Sequence, residues 1–151
     1  MLLAIDIGNT NIVVALFHED EITHEWRIHS DPNRTADEYS SIILSFFRDN
    51  GISQSYIKSG VLSSVVPLLI GPFIRLMENI IGRKPIILGP SIYDKLPVTI
   101  PKSALHEIGT DLVANSVQAF VEYKKPCIIA DFGTALTFTA IDDKGNIQGV
   151  A

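Results

Sequence analysis

Short apolar runs rich in β-branched residues recur along the chain, separated by turn-forming clusters. Leu2–Ile5 and Ile12–Phe17 flank Gly8-Asn9-Thr10-Asn11, which predicts strand, turn and strand. The acidic segment His18-Glu19-Asp20-Glu21 then leads into a third strand over Thr23–Ile28. Thr35 followed by Glu38 forms a capping box, in which hydroxyl and carboxylate satisfy orphan amides at a helix start. Tyr39, Ile42, Ile43, Phe46 and Phe47 follow at helical spacing, and Gly51 ends that helix. Gly60–Val66 reads as a buried strand, Leu68–Ile81 as a helix with a break or kink at Gly71-Pro72, and Lys84–Leu88 as another strand. Gly89–Pro101 contains three prolines and little periodicity, so it reads as mostly loop. A third helix is predicted over Asp111–Tyr123, with Val113, Val117, Phe120 and Val121 on one face.

Strands alternating with helices argue for an α/β layered fold. An internal echo sharpens this. Ala4-Ile-Asp6-Ile-Gly8-Asn-Thr10 opens the first hairpin, and Ile129-Ala-Asp131-Phe-Gly133-Thr134 opens a second, continued by Leu136–Ile141 and an Asp142-Asp143-Lys144-Gly145 turn. Each copy is an apolar strand ending in Asp, a glycine turn with Thr, a second strand and an acidic turn. Two related domains are therefore expected, residues 1–124 and the beginning of a second at 125–151. Ile147–Ala151 reads as a third strand cut short, and an apolar hairpin over Cys127–Ile141 would expose surface and edges without further partners. A truncated chain is the expectation. The alternative is that this hairpin pairs onto the first domain's sheet.

Composition narrows the function classes. Of 151 residues, 46% are hydrophobic and 19% charged, with a net charge of −5, a globular balance. Lys124–Lys125 is the longest basic run, so the cationic stripe that duplex nucleic acid requires is absent. The single cysteine, Cys127, lies in an apolar run and is expected as a buried structural thiol. His18, His24, His29 and His106 lack ligand spacing and are assigned to surface or turn positions. Met1–Asp6 has no basic leader, and no apolar run approaches the roughly 20 residues of a membrane span. A cytoplasmic protein is expected, and the Asn33-Arg34-Thr35 sequon then has no bearing.

Asp–x–Gly–x–Thr at a strand end suits phosphate and Mg²⁺ handling. Glycine lets backbone amides approach phosphate oxygens, threonine adds a donor, and the carboxylate can hold a metal directly or through water. One such pattern is equally an ordinary tight hairpin. Two copies with matching flanks are not explained by turn chemistry. Walker A, G-x-G-x-x-G, G-x-S-x-G and His–Glu–x–x–His patterns are all absent. Ile108-Gly109-Thr110-Asp111 heads the third helix, where Thr110 can cap and Asp111 gains from the macrodipole. Asp111 is then either a stabilising acid or a carboxylate aimed at an acceptor hydroxyl, since phosphoryl transfer asks its base mainly for positioning.

Together these segments resemble type III pantothenate kinases. Ala4-Ile-Asp-Ile-Gly-Asn-Thr-Asn11, Trp26-Arg-Ile28, Arg34-Thr-Ala-Asp-Glu-Tyr39, Ser63-Ser-Val-Val-Pro67, Gly109-Thr-Asp111 and Asp131-Phe-Gly-Thr134 occur in that family's order. The resemblance implies an RNase-H-like (actin-like ATPase) α/β domain with a mixed sheet flanked by helices, plus the first hairpin of a duplicated second domain. It implies ATP-dependent phosphorylation of pantothenate, the first step of coenzyme A synthesis, in a homodimer whose partner helps close the substrate pocket. Asp6, Ile7, Gly8, Asn9, Thr10, Asn11, Ile12 and Val13 would form the first phosphate loop, with Asp6 near Mg²⁺ and Thr134 touching ATP phosphates. Gly109, Thr110, Asp111 and Leu112 would line the pantothenate pocket, with Asp111 as proton acceptor. Asp131 would sit at a monovalent-cation site for K⁺ or NH₄⁺.

The chain departs from the family pattern at three points. Leu112 stands where the family's Gly–x–Asp–Arg has arginine, removing a fork that could hold the substrate carboxylate. Ile100–Ser103 lacks the family's substrate-contacting tyrosine. The remainder of the second domain, with its adenosine site and a substrate-contacting threonine, is missing, so the 151 residues alone are not expected to be a complete catalyst. Two other readings stay open. One is a non-catalytic or differently specific relative, acting on a small hydroxylated acceptor without a carboxylate. The other is a transcriptional regulator of the Bvg accessory factor type, for which no helix-turn-helix pattern is present.

Overall fold

A computed structural model describes residues 1–151, which divide into two compact units, Met1–Ile87 and Leu88–Ala151. In the first, β1 (Leu2–Ile7), β2 (Asn11–His18) and β3 (Glu21–His29) form an antiparallel meander, followed by α1 (Ala36–Asp49), β4 (Ser59–Ser64), α2 (Pro67–Ile81) and the short β5 (Ile86–Ile87). The mixed sheet runs β3-β2-β1-β4-β5, with β4 parallel to both β1 and β5. Alternation along the strands decides the layering. Leu3, Ile5 and Ile7 of β1 and Ile12, Val14 and Leu16 of β2 are buried in one cluster with Tyr39, Ile43 and Phe47 of α1 and Leu69, Phe73 and Met77 of α2. The Tyr39 and Phe73 rings meet at 4.8 Å. The Tyr39 hydroxyl donates to the Asp31 carbonyl at 2.9 Å and accepts from the Asp31 amide at 2.8 Å, so its burial leaves no polar atom stranded. Gly60 lets α2 approach β4, because a Cβ there would fall 2.7 Å from Met77 Cε.

The expected capping box is present: the Glu38 amide donates to Thr35 Oγ1 at 3.3 Å, and the Thr35 amide to Glu38 Oε2 at 2.7 Å. The expected break at Gly71-Pro72 is not. Pro72 lies inside a continuous α2. Its missing N–H would have met the carbonyl of Leu68, in the first helical turn beside a side chain 74% exposed, where water can serve instead.

The second unit contains α3 (Thr110–Tyr123), β6 (Cys127–Phe132), β7 (Leu136–Ile141) and β8 (Ile147–Val150), the strands forming a separate antiparallel sheet in the order β6-β7-β8. The second hairpin therefore does not pair onto the first sheet. Its core joins Tyr93, Ile100, Val113, Ile141 and Ile147, with Phe120, Cys127 and Ile129 packed around them. Three expectations change here. Pro90–Lys95, inside the segment expected as loop, winds into a 3₁₀ helix and buries Tyr93. On α3, Ser116 rather than Val121 belongs to the buried face; Val121 is exposed, and the Ser116 hydroxyl returns to the Leu112 carbonyl at 2.8 Å. Cys127 opens β6 only half-buried. The division into units falls between Ile87 and Leu88 and groups α3 with the second hairpin.

The echo extends to the backbone. Both meanders carry a register shift at the same place, between Leu16 and Phe17 and between Ala140 and Ile141, leaving Thr23 and Gln148 as extra residues in the third strands. The two hairpins are covered differently. Ile128, Phe132, Leu136 and Phe138 hold the positions of the buried Leu3, Ile7, Ile12 and Val14, yet form an exposed apolar face, with Phe132 83% accessible.

The β7–β8 turn is held from two sides. Asp142 accepts from the Lys144 and Asn146 amides, Asn146 Nδ2 and Gln148 Nε2 at 2.8–2.9 Å. Gly145 has φ +80°, and a Cβ on it would fall 2.8 Å from the Pro97 carbonyl oxygen. Gly145→Ala is therefore expected to cost about 1–3 kcal/mol, and Gly149→Ala, with open space around it, less than about 0.5, as measured by urea denaturation. The side-chain bond from Asn146, then the Asn146 amide, hold the Asp142 carboxyl below its ordinary value. Its stabilising effect is full above the unfolded carboxylate value and is lost as pH falls through the depressed folded one. The melting-temperature gap between wild type and Asp142→Ala should accordingly narrow as pH falls below about 4.

Candidate functional site

In the first unit Asp6 sits near the carboxyl end of β1, between Val13 of β2 and Ser63 of β4 in the ladder. It faces away from the Leu3–Ile5–Ile7 side that the helices cover. The Gly8 amide closes the turn on the Asn11 carbonyl at 2.9 Å, and the Ser30 amide holds the Thr10 carbonyl at 2.9 Å. Asn9, Thr10 and Asn11 are exposed, while the Ile7 and Ile12 side chains are in the core, so those two offer a ligand only their backbone. Ser30, which the sequence reading did not single out, carries a buried hydroxyl without a hydrogen-bond partner beside this turn. Its sequence signal was weak, a serine between a strand and a helix cap.

The other predicted residues belong to the second unit. Gly109 is the N-cap of α3, and Thr110 is its first residue rather than its cap. Asp111, in the first turn of α3, accepts the Leu112 amide on Oδ1 at 2.8 Å. Asp131, half-buried on β6, accepts from Asn115 Nδ2 through Oδ2 at 2.9 Å. Asn115 lies one helical turn beyond Asp111, so α3 links these two aspartates. Asp131 Oδ1 lies 3.7 Å from the position a Cβ on Gly133 would take, hence beside the turn. Thr134 is exposed in that turn, and the Gly133 amide closes it on the Ala135 carbonyl at 3.2 Å.

Both turns offer oxygen donors only. No group of three His, Cys, Asp or Glu residues is arranged for a metal ion. A lone carboxylate with neighbouring hydroxyl and carbonyl oxygens fits a hard cation, or Mg²⁺ shared with substrate phosphates, and not a thiolate or imidazole metal. Two hollows, of about 420 and 300 Å³, lie away from both aspartate turns and from Asp111; the first is lined by Arg34, Asp37 and Glu38 of the Arg34–Tyr39 motif, with Ser41 and Ile42.

The profile of the type III pantothenate kinase family matches residues 2–151. The chain belongs to that family. Type III pantothenate kinases of Treponema pallidum and Geobacter sulfurreducens are 40% and 38% identical to it, over 99% and 100% of the chain. The chain spans only 56% and 58% of their lengths. Among solved structures, a protein described as a 2-dehydro-3-deoxygalactonokinase from Sinorhizobium meliloti superposes with a TM-score of 0.56 at 10% identity, over 100% of this chain and 52% of that one. One described as an N-acetylglucosamine kinase from Porphyromonas gingivalis gives 0.53 at 12%, over 100% and 47%. These distant likenesses establish the actin-like ATPase type of α/β fold. No helix is long and apolar enough to cross a membrane.

Proposed function

We propose that the protein at full length transfers the γ-phosphoryl group of ATP to pantothenate, giving 4′-phosphopantothenate, the first step of coenzyme A synthesis. The observation that carries this reading is the repeated Asp–Gly–Thr turn, at Asp6–Thr10 and Asp131–Thr134, each closing a hairpin of the same strand order. Exposed amides and hydroxyls in such turns suit phosphate oxygens. Asp6 to Val13 forms the first phosphate loop, with Asp6 beside Mg²⁺, and Thr134 meets ATP from the second. Gly109 to Leu112 lines the acceptor pocket. Mg²⁺, when bound, neutralises charge on the phosphate oxygens. Asp131 holds a monovalent cation, K⁺ or NH₄⁺. The assembly is a cytoplasmic homodimer of two duplicated-domain subunits with no nucleic-acid role, and the second domain begins at residue 125.

Asp111 supplies the base. As the acceptor oxygen bonds to the γ-phosphorus and the bond to ADP breaks, the hydroxyl proton passes to its carboxylate. The Leu112 amide on Oδ1 keeps that carboxylate oriented. Leu112 itself favours a second reading, an acceptor without a carboxylate, because a half-buried leucine offers no cation to one.

Asp111→Asn is expected to lower kcat by roughly 10²–10⁴ with little change in KM, in a coupled ADP-release assay with and without pantothenate. Folded protein without pantothenate-dependent turnover would sink the assignment. Gly133→Ala meets nothing closer than 3.6 Å, so it should melt with wild type. Its ATP affinity should nevertheless fall by calorimetry, because a methyl group intrudes where phosphate approaches. Equal losses of stability and affinity would reduce the glycine to a turn residue.

A further inference from the structure

We propose that Asn115 is a positioning residue, whose amide fixes the Asp131 carboxylate so that one oxygen stays turned toward the Gly133–Thr134 turn for a monovalent cation. This rests on the reading of Asp131 as the cation's ligand. Three observations converge. The Asn115 side chain donates through Nδ2 to Asp131 Oδ2 at 2.9 Å, across 16 residues of sequence, and so pins one of the two carboxylate oxygens. The other, Oδ1, lies beside Gly133, 3.7 Å from where a Cβ would stand. Asn115 also lies four residues after Asp111, on the same helical stripe, so the bond links the helix carrying the base to the second turn.

The donor's chemistry is selective. Lysine or arginine at this position would hold Asp131 equally well but cancel its charge. An amide donates without a charge of its own and leaves the full negative charge for a cation at Oδ1. An ionised carboxylate can only accept, which settles that the amide presents its NH₂ group here. Asparagine is also a mediocre helix former, so its place inside α3 is not explained by helix stability.

The test compares wild type, Asn115→Leu and Asn115→Gln in the full-length protein. Pantothenate phosphorylation and melting temperature are each titrated with KCl against choline chloride. Loss of a hydrogen bond to a charged group predicts that Asn115→Leu raises half-saturating K⁺ by about tenfold, leaves KM for ATP within about twofold, and weakens K⁺ protection against melting. Asn115→Gln, which keeps the donor on a longer arm, should shift half-saturation less, and decides the matter if the leucine variant does not fold. Unchanged K⁺ dependence in the folded variants, even with kcat and melting temperature reduced together, would overturn the proposal and leave Asn115 as glue. If wild type turns over pantothenate without any K⁺ response in rate or melting, the proposal falls while the kinase reading stands. If wild type shows no turnover, the kinase reading falls, and the K⁺ dependence of melting decides the role of Asn115.

Discussion

A β-strand has two faces, and a side chain that points to one is denied the other. In β1 the alternation gives Leu3, Ile5 and Ile7 to the helical layer, which leaves Asp6 on the opposite side at the strand's carboxyl end. Moving the register by one residue would bury the carboxylate in a hydrocarbon core and expose three large side chains. The apolar residues therefore decide where the aspartate goes. The same alternation on β6 turns Asp131 toward α3, which makes the bond with Asn115 possible.

The helix start obeys a second constraint. The first amides of α3 have no partners within the helix, and Gly109 at the N-cap has no side chain to offer them. Asp111 takes the Leu112 amide and so meets part of that need. Its structural duty and its proposed chemical one are compatible. A carboxylate that satisfies a helix amide is held in one orientation, and fixed placement is what phosphoryl transfer asks of its proton acceptor. Ser116, fully buried, turns its hydroxyl back to the Leu112 carbonyl, so this part of the helix seats against the second core without an orphaned donor.

Much of this was legible in the sequence, because the forces concerned are local. Strand runs, the Thr35–Glu38 box and the repeated aspartate turns follow from spacing alone. Long-range packing accounts for what was not. Tyr93 joins the second core from a proline-rich stretch without periodicity, so no moment or alternation announces it. Gly71-Pro72 reads as a break in the helix, but α2 runs on through it, because the carbonyl Pro72 deprives lies in an exposed first turn. Asn115 looks like any polar residue on an amphipathic helix until Asp131 arrives from β6. Its one hint was its place four residues after Asp111. The exposed face of the second hairpin was hidden because both of its faces are apolar in sequence, and the actual cover is known only once α3 is placed on one of them.

The paired register shifts make the two hairpins alike in backbone where their letters differ. The correspondence between halves is 125 positions from Asp6 to Asp131, 124 from Leu16 to Ala140, and 125 again from Thr23 to Gln148. Relative to the first hairpin, the second has one residue fewer in its first turn and one more in its next. A comparison of letters meets two small gaps within a stretch of some two dozen residues and finds little identity between them. The main chain shows a likeness that the side chains do not. Thr23 fills the irregularity in one copy with a bond from Oγ1 to the Leu16 carbonyl, while Gln148 in the other reaches instead to Asp142. The likeness of the two hairpins lies in ladder geometry, and each sustains it with its own chemistry.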